Sequence, residues 1–149
     1  MAKLLKIGVI GCGAIGSSLA NAIAADFSGK AQLASLYDID IEKAYKLAGK
    51  FNNQKLVALN ADDLINRVNL VIEATKADCA FEIAKKSILA SCDIMIMSAG
   101  GIIQHYKELA VLAEEKNVHI FIPSGAICGI DGLKAANCGK INKVILITK

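Results

Sequence analysis

The residues best suited to chemistry in this chain are three glycines and an aspartate, and that chemistry is holding a phosphorylated ligand. Gly11-Cys12-Gly13-Ala14-Ile15-Gly16 has the G-x-G-x-x-G spacing. In that pattern Gly11 allows a tight turn, Gly13 lets backbone approach a pyrophosphate, and Gly16 lets a helix pack closely on a strand. The amides opening the following helix face the phosphate charge, so Ala14 and Ile15 join the glycines as candidate contacts. Asp38 lies roughly 20 residues further on, where a carboxylate accepts hydrogen bonds from the 2′- and 3′-hydroxyls of an adenosine ribose. A carboxylate there repels a 2′-phosphate, which favours NAD over NADP, while Lys43 and Lys46 nearby leave NADP open. Taken alone, the glycines also suit a turn without a ligand, and Asp38 also suits helix-cap chemistry. The elements around them decide.

The apolar run at residues 7–10 reads as a strand leading into the glycine turn, and residues 17–26 as a helix leaving it. Residues 32–37 form a second strand that ends at Asp38. Asp40 suits the cap of the next helix, with Ile41, Ala44, Leu47, Ala48 and Phe51 on one face. Residues 55–59 read as a short third strand, followed by a helical turn opened by Asp62-Asp63. The fourth strand, residues 69–73, runs into Ala74-Thr75; Asp78 then caps a helix carrying Phe81, Ala84 and Ile88 on one face. The fifth, residues 93–97, runs into Ser98-Ala99-Gly100-Gly101, before an amphipathic helix marked by Tyr106, Leu109, Leu112 and Ala113. Residues 118–122, with His119 at the start, read as a buried sixth strand closed by Pro123. Beyond it lie a small-residue loop from Ser124 to Gly129, a short helix capped by Asp131 with Gly139 as its stop, and a strand pattern at residues 142–148.

Six short strands alternating with helices predict an α/β fold, a doubly wound parallel sheet of Rossmann type with an extra C-terminal strand, because each parallel pair needs a crossover. Such sheets bind ligands at the carboxyl ends of their strands. The loops at 11–16, 74–75, 98–101 and 124–126 all fall there, which adds Ala74, Thr75, Ser98 and Ala99 to the candidate cofactor contacts.

Bulk properties narrow the function classes. The chain has 149 residues, 54% of them hydrophobic, with one proline and a net charge of +3. That is one domain by size, and its apolar content suits a sheet buried on both faces. No basic run suggests nucleic acid, and no apolar run approaches the ~20 residues of a membrane span. The apolar stretch behind Lys3 and Lys6 is too broken by glycine, serine and Asn21 for a secretory leader. The five cysteines (Cys12, Cys79, Cys92, Cys128 and Cys138) form no CxxC pair, which points to reduced, mostly buried thiols in a cytoplasm. Neither His105 nor His119 has a ligand at metal spacing, so no metal site is expected.

The chain resembles the L-aspartate dehydrogenase family through residues 122–136, Ile-Pro-Ser-Gly-Ala-Ile-Cys-Gly-Ile-Asp-Gly-Leu-Lys-Ala-Ala, through Glu73-Ala74-Thr75, through residues 97–102 and through the glycine turn. The resemblance spans essentially all 149 residues but only the amino-terminal half of that family. It implies oxidation of aspartate to iminoaspartate with NAD(P), feeding nicotinamide cofactor synthesis, and a contact from Ala126 near the nicotinamide. Two departures stand out: Cys128 replaces a usual small glycine, and Gly101 stands where the family often has alanine. Family members continue into a second domain that carries the catalytic histidine and the pocket for the small amino-acid substrate. No catalytic residue is therefore expected here. Residues 1–140 read as the dinucleotide-binding domain and 141–149 as the crossover toward a second one, with the strand at 142–148 a candidate edge for a homo-oligomer. Three other readings stay open: a non-catalytic cofactor sensor or subunit, the cofactor domain of a dihydrodipicolinate reductase-like or homoserine dehydrogenase-like enzyme, and an S-adenosylmethionine-binding methyltransferase.

Overall fold

Successive strand residues point to opposite faces of a sheet, and here each face has its own helices. The computed structural model describes residues 4–123 and Lys143. Expectations placed on Ala126, Cys128, Asp131, Cys138, Gly139 and residues 142–148 lie outside the described residues, Lys143 apart. The strands are β1 (Leu5–Ile10), β2 (Ala31–Tyr37), β3 (Leu70–Glu73), β4 (Asp93–Ile96) and β5 (Ile120–Phe121). They form one sheet in the order β2-β1-β3-β4-β5, with every pair parallel. The helices are α1 (Ala14–Asp26), α2 (Ile41–Lys50), α3 (Ala61–Ile65), α4 (Ala77–Leu89) and α5 (Tyr106–Lys116), with 3-10 turns at Gln54–Leu56 and Ala99–Ile102.

Ile7, Val9, Leu70 and Ile72 face Ala20 and Ile23 of α1 and Ala44, Leu47 and Ala48 of α2. Ile10, Val71, Ile94 and Ile96 face the other way, against Leu64 of α3, Ala84 and Ile88 of α4, and Leu109 and Ala113 of α5. This is the doubly wound α/β arrangement expected of the alternating pattern. From β1 the chain turns first to β2 on one side, then to β3 on the other. The switch point between β1 and β3 therefore opens at their carboxyl ends.

Several local expectations are corrected. Residues 55–59 are not a strand; they make a 3-10 turn and a single parallel bridge, Leu36 to Val57, outside β2. Side-chain chemistry competes with the ladder here: the Asn53 carboxamide accepts the Lys55 N–H at 3.2 Å, and the Asn60 carboxamide accepts the Asp63 N–H at 2.8 Å. Only Ala58, whose N–H donates to the Leu36 carbonyl at 2.9 Å, is left to follow the sheet. Buried Ser35 fills the gap by donating its hydroxyl to the Leu56 carbonyl at 3.2 Å. The sixth expected strand shrinks to Ile120–Phe121 and is not buried: Phe121 is exposed, and so is His119. The first helix begins at Ala14 rather than Ser17. Asp40 sits at the cap position of α2 and Asp78 in the first turn of α4, but neither helix has a side-chain cap bond. Tyr106 stands outside the buried face of α5, which is made by Leu109 and Ala113.

Gly8 is a packing glycine in mid-strand, since a Cβ there would meet Leu64 Cδ2 at 2.6 Å. Leu64→Ala, in a side chain with 0% exposure, is expected to destabilise the chain by about 2–5 kcal/mol, and Gly8→Ala by about 1–3 kcal/mol. Because each change makes room for the other, the double variant should lose less than the sum in denaturant melts. Additive losses would show that the two residues do not share that space.

Candidate dinucleotide site

Two backbone contacts build the turn between β1 and α1. A Cβ on Gly16 would overlap the Gly11 carbonyl oxygen, so the first turn of α1 can sit on the strand end only with glycine at that position. Gly11 has φ +98°, and its own Cβ would overlap the Ala74 carbonyl beyond β3. Gly13 differs: a Cβ there meets nothing within 4 Å, because it fronts open space at the start of α1. The first amides of a helix have no acceptor within it, and no side chain caps those of α1. Ala14 and Ile15 flank that opening, with Ile15 56% exposed. A cradle left open at Gly13 and closed at Gly11 and Gly16 fits a pyrophosphate held by backbone.

Asp38 is joined to this turn. Its Oδ2 accepts the Cys12 N–H at 2.7 Å and its Oδ1 accepts the Asp40 N–H at 2.9 Å. Each oxygen keeps a further lone pair, so ribose hydroxyls can be accepted without breaking either bond. The turn is held further by the Gly11 N–H to the Tyr37 carbonyl at 2.8 Å and the Ser17 hydroxyl to the Cys12 carbonyl at 3.1 Å. Cys12 itself points inward. Burial first, and the Asp38 carboxylate second, push its thiol up to about 12.

The loops after β3 and β4 are joined by a side chain that sequence reasoning did not single out. Glu73, at the last position of β3, is fully buried. Its Oε1 accepts the N–H and the hydroxyl of Thr75, both at 2.7 Å, and its Oε2 accepts the Ser98 N–H at 3.0 Å. Ser98 returns a hydroxyl bond to the Thr75 carbonyl at 2.7 Å. The available signal was a glutamate closing the otherwise apolar Leu-Val-Ile-Glu run, since a buried carboxylate needs donors on the next loops. Ala99 opens the 3-10 turn that follows. Gly101 in that turn has no room for a side chain, because a Cβ would overlap the Ala77 carbonyl; alanine at this position requires α4 to move.

The glycine turn, Asp38, Ala74, Thr75, Ser98 and Ala99 therefore lie along one edge of the sheet, linked by hydrogen bonds or backbone contact. Beside Gly13, a cleft of about 300 Å³ is lined by Cys12, Ser17, Leu47 and the lysines Lys43, Lys46 and Lys50. Two larger clefts, about 380 and 330 Å³, open around Gln32, Leu33, Asn53 and Leu56 at the opposite edge and contain none of the candidate residues. His105 stacks on Phe81 with ring centroids 4.1 Å apart, and His119 lies beside Asp93 with Nδ1 3.4 Å from Oδ1. Neither histidine touches the turn. Among the described residues no cluster of three metal-ligand side chains occurs, and no helix is long and apolar enough to cross a membrane.

Comparison with known proteins gives the same site a context. A family model described as "Homoserine dehydrogenase, NAD binding domain" matches residues 11–123. An L-aspartate dehydrogenase from Methanococcus maripaludis is 38% identical over 148 residues, which cover 97% of this chain and 55% of that protein. One from Methanosarcina mazei is 36% identical over 152 residues, covering 98% of this chain and 54% of that one. The chain thus spans about half the length of these curated relatives. Among solved structures, GenD2 from gentamicin A biosynthesis in complex with NAD aligns with a TM-score of 0.69 at 26% identity, over 82% of this chain and 35% of that one. UDP-N-acetylglucosamine 3-dehydrogenase GnnA from Acidithiobacillus ferrooxidans aligns at 0.75 and 23% identity, over 93% and 45%, and shares the fold.

The buried thiols make a testable pair. Burial, with Asp93 adding to it, raises Cys92 to about 11, whereas Cys79 is exposed. Short alkylation of the folded chain followed by mass mapping should modify Cys79 and spare Cys12 and Cys92. Both buried thiols stay protonated in the fold above pH 9.0, where their unfolded counterparts ionise. Their contribution to stability is complete below that pH and is lost as pH rises through about 11 and 12. Stability that does not decline above pH 9.0 would contradict this burial.

Proposed function

The chain belongs to the family of the homoserine dehydrogenase NAD binding domain, and from that premise we propose that its glycine-turn edge is the cofactor half of an oxidoreductase resembling L-aspartate dehydrogenase. Gly11, Gly13, Ala14, Ile15 and Gly16 hold the pyrophosphate, Asp38 the adenosine ribose, and Ala74, Thr75, Ser98 and Ala99 the remaining nucleoside, with Ala126 as a contact outside the described residues. The observation that carries this reading is the open space at Gly13 beside the uncapped start of α1, one residue from the amide that Asp38 accepts. Bound NAD supplies the hydride acceptor. This chain's own residues bind and orient it: the two glycine contacts fix the turn, and the Glu73 carboxylate aligns the β3 and β4 loops.

The substrate in this proposal is a small amino acid, aspartate oxidised to iminoaspartate within nicotinamide cofactor synthesis. The substrate pocket and catalytic histidine belong to a second domain, which residues 141–149 lead toward. The reading extends to a cytoplasmic setting with reduced thiols, and to self-association through the strand pattern at 142–148. NADP is a second reading, favoured by the lysine-lined cleft beside Gly13, although Lys43 already pairs with Asp40 at 3.4 Å. A non-catalytic sensor or subunit would use the same edge without turnover.

Titration of the chain with NADH, followed by nicotinamide fluorescence, is expected to saturate, with NADPH and S-adenosylmethionine as parallel arms. Asp38→Ala should weaken NADH binding by roughly ten- to a hundredfold, the scale of a lost charge-assisted hydrogen bond. Absence of NADH binding, or tighter binding of S-adenosylmethionine, would end the dehydrogenase reading.

A further inference from the structure

Strand order decides which half of a dinucleotide meets which loop. With the adenosine ribose at Asp38 beyond β2 and the pyrophosphate at Gly13 beyond β1, the second nucleoside runs away from β2 and over the ends of β3 and β4. The charged group beneath those ends is Glu73, with 0% exposure. It accepts from Thr75 and Ser98, and among the described residues no cation lies within ion-pair distance of it. Neutral donors hold such a charge without cancelling it. In apolar surroundings, which here include buried Ile10 and Ile96 paired with it on either side in the sheet, its field is screened weakly.

The two oxidation states of a nicotinamide dinucleotide differ on the reacting ring by one positive charge. We propose that Glu73 selects between them: its carboxylate favours the cationic ring of NAD+ over the neutral dihydronicotinamide ring of NADH. This inference rests on reading the crevice as a nicotinamide-dinucleotide site. Glu73 acts through Thr75 and Ser98 and through its field, so it is a positioning residue rather than a catalytic one. The bound couple is thereby biased toward its oxidised form, so the chain holds the hydride acceptor more tightly and gives up the reduced product more readily. That bias eases release of the reduced cofactor, at the cost of a smaller driving force for hydride uptake while the cofactor is bound.

The test is calorimetric measurement of NAD+ and NADH dissociation constants on the full 149-residue chain. Glu73→Gln removes the charge at nearly constant volume. It should weaken NAD+ relative to NADH by roughly tenfold, the scale for losing one unit charge about 12 Å from the ring at an effective dielectric of about 20. Glu73→Asp keeps the charge, so its NAD+ to NADH ratio should stay within about twofold of the parent even with both affinities lowered. Equal losses of both ligands in Glu73→Gln would overturn the inference, leaving a purely structural carboxylate. Should Glu73→Gln fail to fold, the parent chain can be titrated with an NAD analogue whose neutral benzamide ring replaces the pyridinium. NAD+ should bind more tightly than the analogue by a similar factor, and equal or weaker binding of NAD+ overturns the proposal. Failure of the parent chain to bind either NAD+ or NADH would overturn the dinucleotide reading itself.

Discussion

Everything at the carboxyl edge of this sheet depends on how closely two stretches of backbone approach each other. The Gly16 α-carbon rests on the Gly11 carbonyl, and the Gly11 α-carbon rests on the Ala74 carbonyl, with no room for a methyl group at either place. The first contact draws the start of α1 down onto β1, so its unpaired amides stand directly over the strand end. The second draws the β3 loop against the same turn. Hard-sphere exclusion, rather than any attractive force, makes these positions glycine. A side chain at either site would lift the helix or the loop and widen the cradle that Gly13 leaves open.

Two carboxylates complete what sterics begin. Asp38 and Glu73 stand at the ends of β2 and β3, and each accepts backbone N–H groups from a neighbouring loop. They solve one problem in different surroundings. Asp38 is half-buried and retains free lone pairs facing solvent, so it can hold the turn and a sugar together. Glu73 is sealed, and its oxygens are committed to Thr75 and Ser98. Removing a donor from a buried charge costs more than the bond itself contributes, because the charge is left without compensation. The geometry of these loops is therefore set by groups that need not touch a ligand.

The sequence displayed this architecture unevenly, for physical reasons. The short apolar runs of β1, β3 and β4 and the glycine spacing report hard constraints, burial on both faces and excluded volume, which leave few other residue choices. Residues 55–59 carry a similar apolar pattern, but Asn53 and Asn60 bond the backbone on either side and bend it out of the sheet. Competition of that kind is decided by a few local bonds and is poorly visible in hydropathy. Aspartates at residues 40 and 78 occupied helix starts without capping them, since cap bonding depends on a side-chain rotamer. Among the site residues, Gly11, Gly16 and Asp38 were legible because their spacing is dictated by the fold. Glu73 was hidden because only Thr75 among its partners is local, while Ser98 lies across the sheet, a proximity that the β3–β4 pairing creates.

The sheet is also unevenly fastened across its width. Among the described residues, β1 is paired along six residues with β2 and four with β3, whereas β5 pairs with β4 through Ile120 and Phe121. Cooperativity should follow that gradient. Amides in the middle of β1 exchange with solvent only when the whole molecule opens, whereas those of β5 escape through local fraying. The cradle at Gly13 stands on the most persistent strand, so excursions at the far edge leave its shape intact. The molecule thus separates a stiff centre, where geometry must be kept, from a margin that can rearrange cheaply.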